Sequence, residues 1–179
     1  SISPKLIEEK PFVNILGLGG EWEYLDLNGV RFVGWSFKES HYKEDPFETF
    51  PKEFLDTASP ILGLLHCEVD GASSYAPVPA HRFEGSAFWV LGHIHKPIVT
   101  KNYLNCGSPF ALDRGETGDH GVFLIELEGS HWSPPKMISL TPHRFEECSV
   151  ELDPLTTEEN IGTYINKAIR EVGERIAEE

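Results

Sequence analysis

The chain has 179 residues, 40% of them apolar and 25% charged, a globular composition that excludes disordered and fibrous classes. Its 15 basic and 29 acidic residues leave a net charge of −14, so the chain by itself should repel a polyphosphate such as DNA, whose binding rests on Lys and Arg neutralising phosphates. No apolar run approaches the ~20 residues of a membrane span, no signal peptide opens the sequence, and three cysteines are too few for a disulfide scaffold. A cytoplasmic protein with no membrane contact is expected.

Strand-like sequence opens the chain. Phe12–Leu18 is apolar and ends in Gly19-Gly20, and Trp22–Leu27 and Val30–Phe37 flank Asn28-Gly29, a pair suited to a hairpin turn that needs positive φ at both positions. Asp45-Pro46 reads as an N-cap and first helical residue. Phe47, Phe50, Phe54 and Leu55 follow at helical spacing, with Pro51 forcing a break. Pro60–His66 is a short continuous apolar run, expected to be a strand buried on both faces. Residues 67–83, rich in Gly, Ser and Pro, predict a long loop.

Ala87–Leu91 predicts a second buried strand stopping at Gly92. Further strands are expected at Ile98–Thr100, Tyr103–Cys106, Gly121–Leu127, Lys136–Leu140 and Arg144–Leu152, with loops at Gly107-Ser108-Pro109 and Gly115–Gly121. The last segment predicts a helix. Thr156 and Glu159 have capping-box spacing, and Ile161, Tyr164, Ile165, Ala168, Ile169, Val172 and Ile176 form one apolar stripe. Such a stripe needs a surface to cover, either within a second domain opening near Asp153-Pro154 or on a second copy in a homodimer.

The chemistry concentrates in histidines. His66 ends one predicted strand, and His93 and His95 follow another in Leu91-Gly92-His93-Ile94-His95-Lys96-Pro97. On extended backbone, residues i and i+2 point to the same side, and sites in open α/β sheets gather where strands end. Three imidazoles from two strand ends could converge on a transition metal, with Gly92 letting the backbone turn. Other candidates are weaker. Cys67 and Cys106 lack a Cys-x-x-Cys partner and read as core thiols. Lys96 and Arg114 read as solvated charge. Ser108 has no adjacent base in sequence, His81, His120, His131 and His143 show no constellation, and Tyr75 and Trp89 read as packing residues that could also stack on bases.

The order Leu64-Leu65-His66, Tyr75-Ala76-Pro77, Leu91-Gly92-His93-Ile94-His95-Lys96-Pro97, Gly107-Ser108-Pro109 and Gly115-Glu116-Thr117-Gly118-Asp119-His120-Gly121 resembles the calcineurin-like metallophosphoesterases. Within them it is most similar to the DNA-repair exonuclease branch, the SbcD-type nuclease subunit and its YhaO-like relatives, over residues 12–150. The resemblance implies an α/β fold in which two packed β-sheets are flanked by helices. It implies two divalent ions, Mn²⁺ or else Mg²⁺, Zn²⁺ or Fe, with His66 and His93 on one ion and His95 on the other. It also implies DNA as substrate and an SMC-like ATPase as partner, although YhaO-like relatives differ in the latter.

The family also carries Asp-x-His, Gly-Asp-x-x-Asp and Gly-Asn-His-Asp/Glu motifs, none of which occurs here. Gly118-Asp119 continues as His120-Gly121-Val122, without a second aspartate. Residues 1–18 resemble the stretch that follows the third motif. The expectation is therefore a C-terminal part of the catalytic domain over residues 1–150 and the start of an accessory, capping domain over 151–179. No catalytic residue beyond the three metal ligands can be assigned, and the isolated chain should be inactive. The alternatives are a phosphoesterase acting on nucleotides or other small phosphates, and a non-catalytic interaction module of the same fold.

Overall fold

The computed structural model describes residues 12–140, 144–152 and 156–178. The described strands are β1 (Glu23–Leu27), β2 (Val30–Trp35), β3 (Ile61–His66), β4 (Glu68–Val69), β5 (Pro77–Val78), β6 (Ala87–Gly92), β7 (Ile98–Val99), β8 (Tyr103–Asn105), β9 (Gly121–Leu124), β10 (Leu127–Glu128), β11 (His131–Trp132) and β12 (Lys136–Ser139). A single long helix, α1 (Glu158–Glu178), follows among the described residues. The class is α/β with strands in the majority.

Six strands form a mixed sheet in the order β1-β2-β3-β6-β8-β7. β2, β3, β6 and β8 run parallel, and β1 and β7 are antiparallel edges. β9 with β12, β10 with β11, and β4 with β5 make two-stranded ladders. The β1–β2 hairpin turns at Asn28-Gly29, whose φ values of 52° and 82° are those the pair was expected to adopt. Asp45 caps a 3-10 turn over Pro46–Thr49 by accepting the Phe47 N–H at 2.9 Å. Pro51 ends that turn and precedes a second, Lys52–Leu55, so the expected helix is two short 3-10 pieces. Their aromatic residues cover the inner face of the sheet.

On that inner face Trp22, Val33, Trp35, Ile61, Leu65, Trp89 and Leu91 form the buried core. Gly63 lies in register with Trp89, and a Cβ at Gly63 would meet Trp89 Cε3 at 2.1 Å. The glycine is therefore the space into which the indole packs. Trp89 is thus a core residue and is unavailable for stacking on bases.

The outer face differs from expectation. β3 alternates between buried and more exposed residues, and Leu64 and His66 on the outer side are exposed. β3 is thus half-covered rather than buried on both faces. A groove of about 330 Å³ lies there, lined by Leu16, Leu25, Leu27, Phe32 and Leu64 among others.

Several local expectations also change. Phe12–Leu18 forms no strand, and neither does Arg144–Leu152 apart from an isolated bridge between Phe145 and Thr117. Thr100 and Cys106 fall outside β7 and β8. The stretch 67–83 contains β4, β5 and a 3-10 turn, and is pinned to Tyr42 by the Tyr42 N–H to Ser74 O and Ala76 N–H to Tyr42 O bonds. The cap of α1 sits one residue later than predicted. Asn160 Oδ1 accepts the Thr157 N–H at 2.8 Å, the reach-back half of a capping box. Ile161, Ile165 and Ile169 on α1 remain exposed, and Arg175 joins the helix to Glu146 at 3.1 Å. Asp153-Pro154, the expected junction, lies outside the described residues. No described helix is long and apolar enough to cross a membrane.

Candidate metal centre

The parallel strands carry the three predicted histidines to one end of the sheet. His66 is the last residue of β3 and pairs in register with Gly92, the last of β6. A Cβ at Gly92 would come within 3.1 Å of His66 Nδ1. The absent side chain is what lets the His66 ring lie across the neighbouring strand. The sharp turn falls one residue later, at His93, whose φ of 102° lies in the region that favours glycine. His93 thereby turns into the rim, and its ring centroid stands 5.2 Å from that of His66 at 66° between planes.

This turn separates the histidines of the Gly-His-x-His motif. Because His93 is not extended, the i, i+2 rule does not apply, and the rings of His93 and His95 take different partners. His93 packs on Tyr75 at 4.8 Å between centroids, and Tyr75 in turn on His41 at 5.2 Å. His95 instead bonds Glu116, Nδ1 to Oε1 at 2.5 Å. Among the described residues no three His, Cys, Asp or Glu side chains converge closely enough to hold one ion. What the chain presents is a pair of imidazoles in ring contact, His66 and His93, with a third, His95, bonded to Glu116.

Electrostatics favour the neutral, ligating form of His66. Its pKa is held below the usual 6.5, first by desolvation and then by repulsion from His93 and His95. Phe37, 5.6 Å from the His66 ring, supplies part of that apolar crowding. The thiols do not compete. Burial, with a smaller contribution from Asp45, pushes Cys67 up to about 12, and burial raises Cys106 as well. Both stay protonated at neutral pH when no metal is bound.

The Gly-Ser-Pro loop and the segment after it supply a layer that sequence reasoning missed. Gly107, at φ 68°, passes so close to His95 that a Cβ would meet its carbonyl oxygen at 2.7 Å. The Ser108 N–H donates to the same carbonyl at 2.9 Å. Ser108 Oγ lies 3.1 Å from Glu116 Oε2 and 3.0 Å from His120 Nδ1, and His120 Nδ1 also reaches Ser108 O at 3.1 Å. Glu116 further accepts the Leu112 N–H at 2.8 Å. These contacts, led by the Leu112 N–H and then the His95 bond, hold the Glu116 carboxyl below its usual 4.5.

Ser108 therefore does meet a histidine and a carboxylate, although not as a nucleophile. It is 6% exposed, and its hydroxyl lies between Glu116 and His120, whereas a catalytic triad places the histidine between the serine and the acid. The only advance signal was Glu116 and His120 within one polar loop segment. His81 and His131 are exposed and belong to no group of three metal-ligating side chains among the described residues, and His143 lies outside the described residues. Lys96 and Arg114 are exposed, as expected of solvated charge.

Set against known proteins, the chain matches no family model. No curated protein resembles it in sequence either.

Proposed function

We propose that the chain contributes the histidine half of a two-metal phosphodiesterase centre, as the C-terminal part of a metallophosphoesterase-like DNA exonuclease. The observation that supports this reading most is the meeting of His66 and His93 at the joint ends of β3 and β6, with His66 held neutral. His66 and His93 would take one ion and His95 the other. Manganese suits the proposed centre, with Mg²⁺, Zn²⁺ or Fe as substitutes. A pair of divalent ions supplies charge neutralisation on phosphate oxygens and lowers the pKa of water.

Of this chain's own residues, His66 is the one whose surroundings disfavour the protonated ring. The proposal places the carboxylate ligands outside the chain, since the Asp-x-His and Gly-Asp-x-x-Asp motifs are absent from its sequence. The net charge of −14 has the same consequence for substrate, because DNA would need ions or a partner surface to offset the repulsion. Cytoplasmic location, residues 151–179 as the opening of an accessory domain, and an SMC-like ATPase as partner belong to the same proposal.

Nuclease assays with Mn²⁺ on linear DNA test it. The complete product of the encoding reading frame is expected to degrade DNA and to lose that activity on His93→Ala or His66→Ala, while residues 1–179 alone are inactive. Robust turnover by the 179-residue chain would overturn the half-site account. For this chain alone, the absence of the Asp-x-His and Gly-Asp-x-x-Asp motifs from its sequence favours a second reading, a non-catalytic interaction module. A complete product that binds Mn²⁺ but cleaves neither DNA nor small phosphodiesters would establish it.

A further inference from the structure

We infer that Glu116 is a positioning residue for His95: it fixes the ring in its Nδ1–H tautomer and leaves Nε2 as the lone pair that faces a divalent cation. The inference rests on the metal-binding reading above. An ionised carboxylate can only accept hydrogen bonds, so at 2.5 Å from Glu116 Oε1 the His95 Nδ1 must carry the proton. In a neutral imidazole the lone pair then sits on Nε2, which has no hydrogen-bond partner among the described residues. The His95 side chain is 53% exposed, whereas that of Glu116 is 14% exposed. The carboxylate is thus the anchored member of the pair and the ring is the presented one.

A surface ion pair would leave the carboxylate free to swing. Here two donors other than His95 hold it, the Leu112 N–H at 2.8 Å and the Ser108 hydroxyl at 3.1 Å. The Ser108 hydroxyl has the Glu116 carboxylate at 3.1 Å and the His95 carbonyl at 3.4 Å as acceptors, and in donating to either it accepts from His120. His120 Nδ1 must then be a donor, to Ser108 Oγ at 3.0 Å and Ser108 O at 3.1 Å. His120 Nε2 is buried and without a partner among the described residues. Donation therefore converges on the Glu116 carboxylate, from interior His120 through Ser108 on one side and from His95 at the rim on the other. A carboxylate behind a ligating histidine fixes its tautomer and orientation, and losing it typically costs roughly 10–100-fold in metal affinity.

Side-chain ¹⁵N–¹H correlation spectra of the full chain at mildly alkaline pH report the tautomer of each histidine without any metal. Mn²⁺ added to the same samples broadens ring signals near the ion. Wild-type His95 is expected as the Nδ1–H form. Glu116→Ala should shift it towards the Nε2–H form and raise the Mn²⁺ needed to broaden its ring by roughly 10-fold or more, leaving His66 and His93 unaffected. Glu116→Gln, whose amide oxygen still accepts, should retain the tautomer in part and guards against misfolding of the alanine variant.

An Nε2–H His95 in the wild type would overturn the inference, as would a tautomer and Mn²⁺ response unchanged in Glu116→Ala. Broadening of His66 and His93 with His95 silent would overturn the Glu116 assignment alone. Absence of broadening at all three rings would overturn the metal reading and this inference together.

Discussion

On the inner face of the six-stranded sheet, Trp22, Phe47, Phe50, Phe83 and Trp89 interlock in edge-to-face and tilted contacts. Their centroids are 4.8–6.2 Å apart. At the rim of the same sheet His66, His93 and Tyr75 make ring contacts of the same length, yet His66 and Tyr75 are exposed, and His93 adopts a backbone conformation that side chains rarely accept. The core buries its rings, and each ring closes its neighbours off from water. The rim spends comparable contacts on holding polar rings in the open, at a cost in backbone strain of about 1–3 kcal/mol.

The comparison is broken most severely by Trp89→Ala. It removes the ring that Trp22, Phe47, Phe50 and Phe83 all contact, with an expected loss of about 3–5 kcal/mol in denaturant unfolding. A loss below ~1 kcal/mol would show that the inner face is not the stabilising side. Gly63→Ala acts on the same contact from below. Its methyl would stand 2.1 Å from the Trp89 ring, and overpacking is expected to cost about 1–3 kcal/mol.

At the rim the order reverses. His93→Gly relieves the φ of 102° while losing two ring contacts, so stability should stay within ~1 kcal/mol of wild type as Mn²⁺ binding falls. His93→Ala keeps the strain, loses the ring and should be the less stable of the two. Equal stability of the pair would remove the strain argument.

The smallest effect is in pH. His66 has a folded pKa below 6.5, so the unfolded chain binds more protons just under that value. Its contribution is present above about pH 6.5 and is lost as pH falls from there through the folded pKa. Glu116, depressed below 4.5, adds a further loss at more acid pH by the same sign. An NMR titration placing His66 above 6.5 would contradict the desolvation that holds it down.

Local chemistry was legible in the sequence where one short segment decides its own conformation. Asn28-Gly29 and Asp45-Pro46 behave as their backbone preferences dictate, and the joint arrival of His66 and His93 follows from two parallel strands ending together. The Glu116–Ser108–His120 tie was not legible, because it joins loop residues 8 and 12 positions apart with no periodicity to mark them. The parting of His93 and His95 was hidden for a related reason. The positive φ of His93 accompanies its packing on Tyr75 and His66, contacts that no periodicity in the sequence announces. The outer face of β3 looked buried since a continuous apolar run carries no information about which side is covered.

Anomalous diffraction from crystals of the chain soaked in Mn²⁺ tests the central claim most directly, since it locates the ion without reference to activity. The account predicts a peak at first-shell distance, roughly 2.0–2.2 Å, from one ring nitrogen each of His66 and His93, with any second peak at His95 Nε2. Anomalous density confined to surface carboxylates, with the His66–His93 pair bare at saturating Mn²⁺, would contradict it.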